Sequence, residues 1–110
     1  MKQCEIWDAF FDPTLGSEQS GRRPAVIISG NLVNSNVRTV IVCPLTTKLK
    51  YYRGNLILSP DSRNGLQEKS EVMTIHICSV SKERLKKKIG TITKSELSTI
   101  LDGLQKIIKY

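Results

Sequence analysis

The chain has 110 residues, with 17 Lys and Arg against 10 Asp and Glu, a formal net charge of +7, and 39% hydrophobic residues. That length fits one domain burying about two-thirds of its unfolded surface, a core that gains from a dimer interface. The charge favours an anionic partner such as nucleic acid, an acidic protein tail or a lipid surface. A secretory leader and a membrane span are not expected, because the charged start leads into mixed residues and no apolar run approaches ~18 residues. Cys4, Cys43 and Cys78 are odd in number and widely spaced. They match neither a zinc site nor a disulfide framework and read as reduced thiols, which points to the cytoplasm.

Cys4 to Phe11 mixes strand formers with polar residues and ends at Asp12-Pro13, which predicts a first strand. Trp7 within it reads as a core or interface anchor. The polar loop from Gly16 to Arg23 is longer than a hairpin needs, and long ordered loops tend to carry function. Pro24 keeps Arg23 extended, so Arg23 is expected just before a strand, at its rigid mouth. A planar, permanently charged fork at such a place suits a phosphate. Ala25 to Ser29 is a short continuous apolar run, hence a buried strand. Gly30 to Asn36 carries three asparagines and a glycine and reads as a turn.

Val37 to Pro44 predicts the next strand, which Pro44 should end, leaving Thr46 and Thr47 just past it. Lys48 to Arg53 is basic and includes Tyr51 and Tyr52. Lys48, Lys50 and Arg53 suit a nucleic-acid backbone and the two rings suit bases, although an exposed hairpin with solvated lysines fits equally well. Asn55 to Leu58 is a short strand, and Pro60 to Gly65 is a cluster of turn formers. Glu71 to Cys78 alternates, with Met73, Ile75 and Ile77 on one face and Thr74, His76 and Cys78 on the other. Histidine can act as a general base near neutrality, but His76 on the less apolar face reads as a surface or interface residue.

Ser81 caps a short helical turn through Leu85. Lys86 to Lys88 reads as a solvated edge and Ile89 to Ile92 as a last strand. Thr93 and Glu96 form a capping box. Leu97, Ile100, Leu101, Leu104, Ile107 and Ile108 recur at helical spacing, which predicts a helix over 94–109 packing its stripe on the sheet. Repeats, low-complexity segments and linkers are absent. Many short strands and one terminal helix predict a small β-barrel or a strongly bent sheet.

Gly16-Ser17-Glu18-Gln19, then Gly21, then Arg23-Pro24 before an apolar strand, resembles the signature of the MazF/PemK family of bacterial toxins. Pro44-Leu45-Thr46-Thr47 is similar to that family's Pro-x-Thr segment. The likeness covers most of the chain in length and element order and is sharpest in these two segments. It implies a single toxin domain over 1–110, an SH3-like small barrel of the CcdB/MazF/PemK type with a C-terminal α-helix, working as a homodimer. It also implies a sequence-selective endoribonuclease that cuts single-stranded RNA with no metal or cofactor. A MazE-like antitoxin would block it with an acidic tail, and the complex would bind DNA.

The same resemblance makes Arg23 and Thr46 the catalytic pair, because the family's arginine directly precedes the proline. Ser17, Glu18 and Gln19 would line or brace the pocket, with Glu18 fixing Arg23 or serving as base. Arg22, Thr47, Lys48, Lys50 and Arg53 would contact RNA. Of the two adjacent arginines, alternation of an extended chain turns only one to the pocket. RNA carries its own nucleophile in the 2′-hydroxyl, so the protein needs to supply alignment, proton transfer and charge stabilisation. Walker loops, nucleophile elbows and metal-spaced clusters are absent.

Departures accompany the likeness. Phe10 stands where some members have an acidic or polar residue. Met73 and Ile75 replace an arginine and an aspartate of PemK-like members, His76 replaces a common glutamine, and Cys78 replaces an arginine. The relatives' base preference therefore does not carry over. Two further readings stand beside the nuclease: a protein-binding toxin of the same barrel, as in CcdB-type gyrase poisons, and a catalytically silent co-regulator that binds the antitoxin.

Overall fold

The computed structural model describes residues 1–11 and 21–109. Seven strands and two α-helices follow in the order β1 (Glu5–Phe11), β2 (Gly21–Ile27), α1 (Asn31–Asn36), β3 (Thr39–Thr46), β4 (Ile57–Leu58), β5 (Ser70–Val72), β6 (Cys78–Ser81), β7 (Leu85–Thr91) and α2 (Lys94–Lys109). The strands make one antiparallel, strongly bent sheet in the order β4-β5-β3-β2-β1-β7, with β6 also paired to β3. The mainly β architecture with a C-terminal helix matches the sequence expectation.

The centre of the sheet is apolar on both faces, as the unbroken run from Ala25 foretells. Val26, Cys43 and Leu45 join Ile6, Leu58, Val72, Ile92, Leu97 and Ile100 in a core under α2. Ala25, Ile27, Val40 and Val42 pack with Ala9, Phe11, Val80 and Leu85 in a second core. Trp7 lies half-buried against that second core, its indole Nε1 donating to Glu5 Oε1 at 2.9 Å. Glu5 also accepts from the Lys2 amide and pairs with Lys88 Nζ at 3.1 Å. Burial opposes its ionisation, yet the Trp7 indole, the Lys2 amide and Lys88 together pull its carboxyl down to about 2.

Central strand β3 changes partner along its length. Thr39 to Val42 pair with β6, whereas Leu45 and Thr46 pair with β5. Pro44 sits at the handover. Its carbonyl accepts from Met73 N at 2.8 Å. N–H and C=O of one strand residue point the same way, so the donor Pro44 lacks would fall in the gap between β5 and β6, where no ladder partner waits. This is why β3 runs through Pro44 to Thr46 instead of ending there. The same gap breaks the expected strand over 71–78: β5 stops at Val72, a 3-10 turn spans Thr74–His76, and β6 begins at Cys78. Met73 and Thr74 are buried and Ile75 is exposed, against the expected two-faced alternation.

Other boundaries moved for equally local reasons. Residues 31–36 form α1 and not a bare turn, because buried Asn34 donates Nδ2 to the Ser29 carbonyl at 2.8 Å and bonds the Ser29 hydroxyl. Strand β7 begins at Leu85, so Lys86 to Lys88 lie inside a ladder with β1 while remaining exposed. Ser81 does cap a turn, accepting from Glu83 N at 3.4 Å, and the turn spans Lys82–Arg84. The 60–65 turn is built by Asp61 and Asn64, whose side chains accept from the amides of Asp61, Arg63, Asn64 and Leu66.

The capping box is present: Thr93 N donates to Glu96 Oε1 at 2.8 Å and Glu96 N to Thr93 Oγ1 at 3.0 Å. Only part of the predicted stripe packs on the sheet. Leu97 and Ile100 are buried and Leu104 is partly so, but Leu101, Ile107 and Ile108 are exposed, because the end of α2 runs past the sheet. Gly103 faces the loop after β3, where a Cβ would come within 2.7 Å of the Gly54 carbonyl oxygen. An alanine in a helix interior ordinarily gains up to about 1 kcal/mol over glycine. Here overpacking, worth about 1–3 kcal/mol, reverses the sign. Gly103→Ala is thus expected to lower the urea midpoint, whereas an intrinsic propensity effect would raise it.

Candidate active site

The bend in β3 opens a cavity of about 540 Å³ over the C-terminal half of β3 and the start of β2. Its wall comes from four places: Arg22, Arg23 and Pro24 of β2, Pro44 to Thr46 of β3, Thr47, Lys48 and Lys50 of the following loop, and Met73 and His76 at the break between β5 and β6. Arg22, Arg23, Lys48 and Lys50 give it four cationic side chains, and no carboxylate lines it among the described residues. Such a cavity concentrates anions.

Arg23 and Thr46 line this one cavity. Strand β2 begins at Gly21, earlier than expected, so Arg23 is inside the β1–β2 ladder opposite Ala9. Gly21 takes φ of +79°, which a glycine adopts without strain, and so turns the chain into the strand. Arg23 is half-buried, and among the described residues its Nε has no hydrogen-bond partner. Buried donors are normally paired, so this Nε is a donor held ready for an acceptor. Thr46 is the last residue of β3, and its Oγ1 accepts from Lys48 N at 3.1 Å. With a lone pair engaged, the hydroxyl keeps its proton to donate.

Arg22 also lines the cavity, against the expected one-in, one-out alternation. It is exposed at the mouth, where a long side chain reaches the rim from either face, and its Nε bonds Asp8 Oδ2. Thr47 and Lys48 are exposed lining residues and Lys50 stands on the far lip. Arg53 is exposed beyond the lip and does not line the cavity. Ser17, Glu18 and Gln19 lie outside the described residues. His76 ends the 3-10 turn half-buried on the cavity wall, a place that its reading as a surface or interface residue did not foresee. The signal for it was non-local: Pro44 in another strand sets the break that turns residue 76 inward.

Sequence reasoning missed Glu71. Its side chain is fully buried on β5, yet charged. Oε1 accepts from Lys50 N at 2.7 Å and Tyr51 N at 2.8 Å, and Oε2 accepts from Tyr52 N at 3.0 Å and Asn55 Nδ2 at 2.7 Å. Burial alone would raise its pKa, but the Asn55 amide and the three backbone donors outweigh burial and lower it. Tyr51 adopts φ of +53°, and that left-handed step points three consecutive N–H groups at one carboxylate. At Cys43 the same burial meets no offsetting donor: the thiol is pushed up to about 12, with Cys78 adding to the rise. All three cysteines are unbridged.

Comparison with known proteins gives this geometry a context. A family model described as PemK-like, MazF-like toxin of type II toxin–antitoxin system matches residues 2–108. The chain is 37% identical to the endoribonuclease toxin MazF of Escherichia coli K12, covering 86% of this chain and 81% of that protein. It is 32% identical to endoribonuclease MazF9 of Mycobacterium tuberculosis, covering 96% and 93%. Among solved structures, MazF of Deinococcus radiodurans superposes with a TM-score of 0.84 at 23% identity, covering 100% of this chain and 97% of that one. A mycobacterial endoribonuclease in complex with its cognate antitoxin gives 0.81 at 19% identity, covering 98% and 94%.

Because Glu71 has a lowered pKa in the folded chain, the folded state binds fewer protons than the unfolded state in mild acid. Its contribution is complete above the ordinary glutamate value near 4.5 and disappears as pH falls through the depressed value. Glu71→Gln is expected to cost about 2–4 kcal/mol at pH 7, since charge-assisted hydrogen bonds are worth ~1.5–3 kcal/mol each. It should also flatten the acid limb of stability, as measured by urea midpoints from pH 7 down to pH 3.

Proposed function

The chain belongs to the PemK-like, MazF-like toxin family of type II toxin–antitoxin systems, and we propose that its cationic cavity cuts single-stranded RNA at selected sequences. The observation that carries this reading is the lining of one cavity by Arg23 and Thr46. Both named relatives are endoribonucleases, which favours the nuclease over a gyrase poison or a silent co-regulator of the same fold.

In the proposed reaction the RNA 2′-oxygen attacks the adjacent phosphorus. A 2′-O–P bond forms, the P–O5′ bond breaks, and the products are a 2′,3′-cyclic phosphate and a 5′-hydroxyl. The proton leaves the 2′-oxygen for a base, and another reaches the departing 5′-oxygen. The Arg23 guanidinium faces the two non-bridging oxygens as their charge grows, where a planar fork binds best. The Thr46 hydroxyl donates to one of them. Arginine does not take the proton, because its ordinary pKa exceeds 12. Glu18 and His76 are the candidates for that step, and the reaction requires no metal or cofactor. Arg22, Thr47, Lys48, Lys50 and Arg53 hold the flanking phosphates, with Ser17 and Gln19 bracing the pocket.

Among the described residues no helix is long and apolar enough to cross a membrane, and an RNA substrate accords with a toxin of the cytoplasm. The working form is a homodimer. A cognate MazE-like antitoxin lays an acidic, partly disordered tail over the basic cavity and joins the toxin in a DNA-binding complex. A solved complex of a similar endoribonuclease with its cognate antitoxin supports a partner of this kind.

Incubation with long RNA in excess EDTA should give discrete cuts ending in cyclic phosphates. Arg23→Ala should lower the rate by about 100- to 1000-fold, the usual cost of one preorganised charge-stabilising donor. Thr46→Val removes one neutral hydrogen bond, about 0.5–1.5 kcal/mol, and should lose roughly 2- to 12-fold. Uncut RNA from the native protein, or full activity in Arg23→Ala, overturns the assignment.

A further inference from the structure

Beyond the phosphate-binding cavity lies a second recognition element. Four independent constraints hold the loop after β3. The buried Glu71 carboxylate accepts from the amides of residues 50, 51 and 52 and from Asn55 Nδ2. Asn55 N bonds the Tyr52 carbonyl at 3.1 Å. Val72 N bonds the Leu56 carbonyl at 2.9 Å. Gly54, at φ of +90°, lies against α2, where a Cβ on Gly103 would come within 2.7 Å of the Gly54 carbonyl oxygen. A loop tied down this thoroughly nonetheless leaves two large aromatic rings outside: Tyr51 is 65% exposed and Tyr52 is 53% exposed.

Burying a charged carboxylate is costly unless it is hydrogen-bonded, and all four bonds of Glu71 are made to this loop. What they hold in place is the backbone that carries two exposed aromatic side chains next to Lys50, which lines the cavity. Basic residues on both sides, Lys48 and Lys50 before and Arg53 after, favour an anionic chain passing over the rings. A nucleobase presents a flat face to any such ring, and a ring carried on a fixed backbone loses less freedom on stacking than one on a mobile loop.

We propose that Tyr51 and Tyr52 form a preorganised stacking lip for an unpaired base next to the scissile phosphate, and that Glu71 is the positioning residue that fixes it. This rests on the nuclease reading for its substrate class, and it adds residues outside the cavity to the determinants of site choice.

Binding of a single-stranded oligonucleotide carrying 2-aminopurine tests the lip separately from cleavage. The strand is 2′-deoxy at the cut position, so it remains intact. Wild-type protein should quench the fluorescence. The double variant Tyr51→Ala/Tyr52→Ala should lose the quench, bind about tenfold more weakly and cut RNA with raised KM, since base–aromatic stacking is worth 1–3 kcal/mol per base. Tyr51→Phe/Tyr52→Phe keeps both ring faces and should retain the quench. Both tyrosines are exposed, so these variants fold. Glu71→Gln, assayed below its melting temperature, should lose much of the quench with both rings still present. Equal quench and equal KM in the double alanine variant overturn the proposal. If no RNA is cut by wild type, the nuclease reading fails instead, and the quench still reports on the lip.

Discussion

A carboxylate shut away from water ties the functional half of this molecule together. It belongs to Glu71, on β5. It is neutralised by four N–H dipoles, three of them from successive backbone amides of another segment. Through them β5 fixes the loop that follows β3, and so fixes one lip of the cavity relative to the strand that carries Thr46. The opposite wall is fixed differently, by Arg23 being a rung of the β1–β2 ladder. The two sides of the cavity therefore meet across β3, the strand that both halves of the sheet share.

That division explains the character of the cavity. Its wall holds cations and hydroxyls and, among the described residues, no carboxylate. A reaction that brings its own nucleophile needs little more from the wall than alignment and positive charge. The side chain of Glu71 is kept nearby but turned into the protein, where its charge is spent on backbone amides. Met73 lines the cavity and is buried. The positive charge of the wall comes from β2 and from the loop after β3.

Local signals were readable in the sequence, and partner-dependent ones were not. The capping box at Thr93 and Glu96, the helix behind it and the Asp61–Asn64 turn all depend on residues within a few positions of one another, and all are present. Arg23 and Thr46 could be singled out because the short segments that hold them, Arg23-Pro24 and Pro44-Leu45-Thr46-Thr47, resemble those of a known family. The break at 73–77 could not be foreseen from its own residues, since their apolar alternation is that of a strand. It is imposed by β3, which offers its edge first to one strand and then to another around Pro44. Glu71 was passed over for the same reason: nothing near it in the chain shows that its partners lie some twenty residues upstream. The helix at Asn31 is likewise held by Ser29 and buried Asn34, a pairing that asparagine's preference for turns conceals.

Strand β7 lies at the end of the sheet; its Thr91 N is taken by the Arg63 carbonyl at 3.0 Å, while among the described residues no strand pairs with its start at 85–88 on the side away from β1. A bare strand of that kind is a template for pairing with any other extended chain. Lys86, Lys87 and Lys88 project from it, all exposed. Two copies brought edge to edge would set these ammonium groups against each other, and among the described residues a carboxylate, that of Glu5, pairs with Lys88. The run that looks like a simple solvated face thus acts as a guard against aggregation.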